Sequence, residues 1–146
     1  MKLLLFIVVT ILIISGCQNA VTKKTDSGVP DVSTDIKDVS PVEAQTAVSK
    51  AYSQFVDVRT PEEYSSGHAA RAINIPIDTL AANLDRLEKN EPVYLICQTG
   101  NRSKKAAVML KDAGFNNVLN VIGGTTAWQT ANLPMETKSP HEPVAK

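Results

Sequence analysis

A chain of 146 residues, 43% of them hydrophobic, leaves room for one compact domain of roughly 100 residues once its ends are set aside, and none for a second. Its 15 basic and 15 acidic side chains cancel. That balance excludes the basic footprint of a nucleic-acid-binding surface, and no polyanionic partner is expected.

Lys2 is followed by the apolar run Leu3 to Val9 and Ile11 to Ile14, and then by the small pair Ser15 and Gly16, the layout of a signal peptide. The run is about 12 residues, short of the roughly 20 that cross a bilayer as a helix, so residues 1–16 read as a leader and not as a permanent span. Ile14, Ser15, Gly16 and Cys17 resemble the lipobox of bacterial lipoproteins. The resemblance implies that Cys17 is diacylated and becomes the new N-terminus. The mature protein would then be exported and lipid-anchored to a bacterial membrane, at its periplasmic or extracellular face, since two or three acyl chains hold where one is marginal. Cleavage removes Lys2 and leaves 14 basic against 15 acidic side chains. With Cys17 lipidated, Cys97 is the only thiol left, and no intramolecular disulfide can form.

Residues 17–39 are polar and aperiodic and read as a flexible tether with a reach on the order of 25 Å. The domain is expected over residues 40–136. Ser40, Pro41 and Glu43 spell a capping box with proline at the first helical position, predicting a helix from Pro41 to about Lys50. A strand is expected at Gln54–Val58. Thr60, Pro61 and Glu63 repeat the capping grammar for a short helix that stops before Gly67. Further along come a strand at Ala72–Ile75, a helix over Ile77–Glu88, a strand at Val93–Cys97, a helix over Arg102–Ala113 closed by Gly114, and a strand at Val118–Val121. Gly123 and Gly124 precede one more helix, and Trp128 reads as core. Residues 137–146 read as a disordered tail. Short apolar strands alternating with helices predict a single α/β domain, with a mostly parallel central sheet covered by helices on both faces.

Chemistry is concentrated where Cys97, Gln98, Thr99, Gly100, Asn101, Arg102 and Ser103 join a strand to a helix. Ligands in open α/β sheets bind beyond the carboxyl ends of strands, and the following helix offers free N–H groups and a positive dipole end. A thiol placed there, with an arginine nearby, is drawn toward thiolate and becomes a nucleophile; the alternative is that Cys97 is a buried strand-end residue, as free cysteines commonly are. Gly100 permits the tight turn by which loop amides converge on an anion. This reading requires a cup of amides with room for a small anion. Asp57 and Arg59 stand at a strand end near the loop, where they either tune Cys97 or form a structural ion pair, the simpler reading. His68 reads as a ring packed in a turn and bonded to backbone. The glycine pair serves either a close approach to the loop or a tight strand-to-helix turn.

Asp57, Val58 and Arg59 with Pro61, Glu63 and Tyr64, then Gly67 and His68, Ala72, Asn74, Ile75 and Pro76, the loop itself, Gly114 and Phe115, and Gly123, Gly124, Ala127 and Trp128 together resemble the rhodanese homology domain over about Val39 to Pro134. Ala69, Ala70 and Arg71 depart from the family's turn, which ends in glycine. Cys97 to Arg102 is C-x4-R, a six-residue loop, whereas the related phosphatases resemble this domain with a C-x5-R loop sized for phosphate. The resemblance therefore implies sulfur transfer, with Cys97 catalytic. A small sulfur donor, thiosulfate or a persulfide, would leave a persulfide on Cys97, and a thiol or cyanide would accept the sulfur. The amides of Gln98 to Ser103 would stabilise the sulfur anion, and Arg102 would hold a donor oxyanion or orient the loop. No metal or organic cofactor is implied, and a monomer is expected. The alternatives are a non-catalytic sulfur-carrier or partner-binding module at the membrane surface and, third, a phosphatase or arsenate reductase.

Overall fold

Both capping boxes form as their spacing predicts. In the computed structural model, which describes residues 36–50 and 52–137, the chain runs β1 (Lys37–Val39), α1 (Pro41–Val48), β2 (Gln54–Asp57), α2 (Pro61–Ser65), β3 (His68–Ala69), β4 (Ile73–Asn74), a 3₁₀-helix (Ile77–Arg86), β5 (Val93–Ile96), α3 (Asn101–Asp112), β6 (Val118–Val121), α4 (Gly124–Thr130) and β7 (Met135–Glu136). The signal peptide, Cys17, the tether as far as residue 35 and nearly all of the tail lie outside the described residues. Among the described residues no helix is long and apolar enough to cross a membrane. The Ser40 and Thr60 hydroxyls accept the N–H groups of Glu43 and Glu63. Those glutamates in turn accept from the N–H groups of Ser40 and Thr60, satisfying donors that the first helical turn leaves free.

The five strands of the main sheet lie in the order β1-β6-β5-β2-β4, every pair parallel. A separate antiparallel pair, β3 with β7, sets His68 opposite Glu136. Successive strand residues serve opposite faces. Val56, Leu95 and Val118 pack with Leu80, Ala106 and Leu110, while Phe55, Ile96 and Leu119 pack with Ala44, Val48, Tyr64 and Trp128. Helices thus cover both faces, which is why these strands read as near-continuous apolar runs.

Three features depart from the sequence expectation. Strand β1 lies inside the stretch assigned to the tether; it is a three-residue edge strand with Lys37 and Asp38 exposed and only Val39 buried, so it carries no apolar pattern. Residues 77–86 wind as a 3₁₀-helix interrupted at Asn83 (φ −124°, ψ 20°), where one continuous helix was expected. The pair β3 and β7 was not anticipated, being two residues long on each side.

Arg71, standing where the family's turn has glycine, keeps the glycine conformation at φ 71°. Its guanidinium donates to the Ser49 carbonyl at 3.2 Å. A left-handed L-residue costs about 1–2 kcal/mol, and glycine returns part of that as unfolded-chain entropy, about 0.5–1 kcal/mol. Arg71→Gly should therefore raise the unfolding free energy in urea by about 0.5 kcal/mol, and Arg71→Val, β-branched at positive φ, should lower it by more than about 1 kcal/mol.

Candidate active site

Cys97 directly follows β5, and the chain turns through Gly100 in the left-handed region (φ 96°) to begin α3. A side chain at Gly100 would put Cβ 3.3 Å from the Gly123 nitrogen, so the loop and the glycine pair touch. At Gly124 a Cβ would lie 2.1 Å from the Cys97 carbonyl oxygen. Both readings of the pair hold, since the two glycines make the strand-to-helix turn and also admit the loop backbone. From there the N–H of Thr125 donates to the Cys97 carbonyl at 2.8 Å and that of Thr126 to the Gln98 carbonyl at 3.2 Å. With these carbonyls held outward, the loop amides turn inward. The Gly100 N–H donates to Cys97 Sγ at 3.2 Å, and the Ser103 hydroxyl lies 3.4 Å from it.

Burial disfavours a charged sulfur. The Ser103 hydroxyl and the N–H groups of Ser103, Thr99 and Gly100 outweigh it, and the Cys97 thiol sits below its ordinary pKa. The thiol is nevertheless covered, with Cys97 only 1% exposed. An open cup was expected. Instead, the cavity next to the loop, about 210 Å³ in volume, is lined by Asp38, Thr99, Gly100, Asn101, Lys104 and Asn120, among others, and Cys97 is not part of its lining. A wider apolar hollow of about 570 Å³ shares Thr99 and Gly123 with its rim.

The charged residues near the loop are paired. Arg102 grips Glu63 through two bonds of 2.7 and 2.6 Å, which ties α3 to the capping box of α2. Its fork is thus engaged by protein, and of its two expected roles the geometry favours orienting the loop. That guanidinium holds the Glu63 carboxyl far below its usual value, at about 2. Asp57 and Arg59 form a buried ion pair at 2.7 Å, as the simpler reading had it. Arg59 also reaches the Gln98 side chain at 3.4 Å, and Thr125 and Thr126 hold the same amide from the other side. The side chains of Thr99 and Asn101 have no such restraint and are exposed.

His68 is buried and stacked on Tyr64, with Nδ1 on the Tyr64 carbonyl at 2.9 Å, the packed ring expected. Trp128 is core, its indole N–H on the Pro134 carbonyl. Sequence reasoning missed Asn120, which is buried beside Ser103, and Glu63 as the partner of Arg102. For Asn120 the signal was a lone amide inside the apolar run Val118–Val121. Among the described residues no group of three metal-ligating side chains is assembled.

The rhodanese-like domain family model matches residues 40–131, more than half of the chain. The chain belongs to this family. Thiosulfate sulfurtransferase 16, chloroplastic, of Arabidopsis thaliana is 40% identical over 93 residues, covering 56% of this chain and 78% of the relative. The thiosulfate sulfurtransferase GlpE of Vibrio cholerae is 33% identical, over 64% of this chain and 88% of the relative. Among solved structures, a rhodanese-like domain protein from Staphylococcus aureus superposes with a TM-score of 0.64 at 36% identity, covering 71% of this chain and all of that one. The rhodanese-like domain therefore accounts for the parallel sheet and for the loop between β5 and α3.

Two variants test how this loop is held. Gly124→Ala combines overlap with the Cys97 carbonyl and left-handed strain (φ 57°) and should cost about 3 kcal/mol in a urea titration. Glu63→Gln keeps the cap but removes the charge that Arg102 grips, and should cost about 1 kcal/mol, both side chains being about a third exposed. Because Arg102 depresses the folded-state value of Glu63, that difference should be complete above pH 4.5 and disappear as the pH falls to about 2.

Proposed function

We propose that this protein is a thiosulfate-type sulfurtransferase in which Cys97 carries the sulfur. The observation that supports it best is the convergence of the Gly100 N–H and the Ser103 hydroxyl on the Cys97 sulfur, at the start of a twelve-residue helix. The Gly100 N–H already points at that sulfur, and the Ser103 hydroxyl can turn its hydrogen there once the sulfur is charged, so both stabilise negative charge on it. The Cys97 thiolate attacks the outer sulfur of thiosulfate, the donor's S–S bond breaks, and sulfite leaves with its electron pair. The outer sulfur of the resulting persulfide carries the negative charge, and the amides of Gln98 to Ser103 hold it. A thiol or cyanide then attacks that outer sulfur, and Cys97 leaves as thiolate. Arg102, anchored on Glu63, keeps the first turn of α3 in place beneath the loop.

We also infer that the mature chain is lipidated at Cys17 and held at the outer face of a bacterial membrane, acting on small sulfur compounds there. The order of Lys2, the apolar run, Ser15, Gly16 and Cys17 supports this reading.

Incubation of the full chain with thiosulfate should add one sulfur atom to the peptide containing Cys97, seen by mass spectrometry, and cyanide should then release it as thiocyanate. Cys97→Ser should abolish both. Absence of the added sulfur with thiosulfate and with organic persulfides would sink the proposal.

A further inference from the structure

The Ser103 side chain is fully buried, and its hydroxyl lies 3.4 Å from Cys97 Sγ, 3.1 Å from the Gly100 carbonyl and 2.6 Å from Asn120 Oδ1. A hydroxyl has one hydrogen, so it can satisfy only one of these three acceptors at a time. Asn120, on β6, is also buried, and its orientation is fixed from the far side. Its Nδ2 donates to Asp38 Oδ1 at 2.7 Å, and the other oxygen of that carboxylate takes Lys104 Nζ at 3.2 Å. Turning the amide over would set its oxygen against a carboxylate oxygen. With Oδ1 facing Ser103 and able only to accept, the 2.6 Å contact is an O–H donated by Ser103.

While the thiol is protonated, Ser103 gives its hydrogen to Asn120 and offers the sulfur a lone pair that accepts the S–H. Once the sulfur is ionised, that lone pair faces negative charge, and the hydroxyl must swing its hydrogen to sulfur. Asn120 Oδ1 is then left buried without a donor. Each ionisation of Cys97 therefore exchanges one hydrogen bond for another.

We propose that Asn120, its amide locked by Asp38, is a positioning residue that competes with the Cys97 sulfur for the single Ser103 hydrogen and so limits how readily the thiolate forms. The idea rests on the reading of Cys97 as the nucleophile. The other charged groups around the loop are already matched, Arg102 by Glu63, Arg59 by Asp57 and Lys104 by Asp38, so this hydrogen is the adjustable element.

The test is the pH dependence of iodoacetamide alkylation at Cys97 in the full chain, read by peptide mass spectrometry so that Cys17 is scored separately. Asn120→Leu keeps the shape and removes the acceptor. Its midpoint should fall, with the rate on the rising limb increasing about five-fold, the worth of one net hydrogen bond. Ser103→Ala should raise the midpoint. The double variant should match Ser103→Ala alone, because no hydrogen remains to compete for. Should Asn120→Leu fail to fold, Asp38→Ala, at a partly exposed position, releases the amide to turn, and its shift should likewise vanish in the Ser103→Ala background. An unchanged or raised midpoint in Asn120→Leu, or a downward shift that persists without Ser103, would overturn the proposal. Alkylation needs no sulfur donor, so failure of this idea and failure of sulfur transfer are read separately.

Discussion

Everything about the loop depends on how two carbonyls are turned. A chain reversing direction between a strand and a helix can aim either its oxygens or its N–H groups at the space it encloses, and only the second choice suits a sulfur anion. Here the first turn of α4 decides it, since the N–H groups of Thr125 and Thr126 take the carbonyls of Cys97 and Gln98. That contact exists because residue 124 has no side chain; any Cβ there would overlap the Cys97 carbonyl. The glycine pair thus helps to shape the Cys97 loop although it lies more than twenty residues beyond Cys97 in the chain.

The same loop is fastened laterally by ion pairs that differ in kind. Asp57 and Arg59 are buried, and a buried pair is costly to break because either partner alone is an uncompensated charge. Its value is geometric, with Arg59 also holding the Gln98 side chain and the Gly67 carbonyl. Arg102 and Glu63 are about a third exposed, so solvent screens their attraction, and their bidentate geometry matters more than their energy. One carboxylate caps α2 and fixes the start of α3 together. A local helix signal therefore becomes a long-range restraint on the helix that follows Cys97.

Local signals were legible in the sequence because local physics writes them. Both capping boxes, the parallel strands and the position of Cys97 at a strand's tip follow from short-range spacing, and the ordered motifs pointed to the family that the comparisons then showed. The 3₁₀-helix was harder, since its spacing of apolar residues suits an α-helix equally well. Strand β1 was invisible because an edge strand of three residues exposes two of them. The covering of Cys97 was one of two readings open for a cysteine at a strand end, and the choice between them depends on how α3, α4 and β6 close around the loop. Asn120 lies between these cases: an amide within the run Val118–Val121 announces a buried hydrogen bond, but not that its partner is the serine of a loop on another element.

Burial of the sulfur changes which interactions matter. An exposed thiolate would be stabilised chiefly by water, and one hydroxyl more or less would count for little. Cys97 has almost no contact with solvent, and in such surroundings each fixed dipole acts at close to its full strength while each unmatched group is penalised as heavily. The neighbouring cations are spent on their own carboxylates. What remains to balance the charge on sulfur is the set of loop amides, which cannot move, and the hydroxyl of Ser103, which can. The site therefore concentrates its adjustability in one rotor, and the amide that faces that rotor from β6 gains an influence on the chemistry that its distance from the loop in sequence gives no reason to expect.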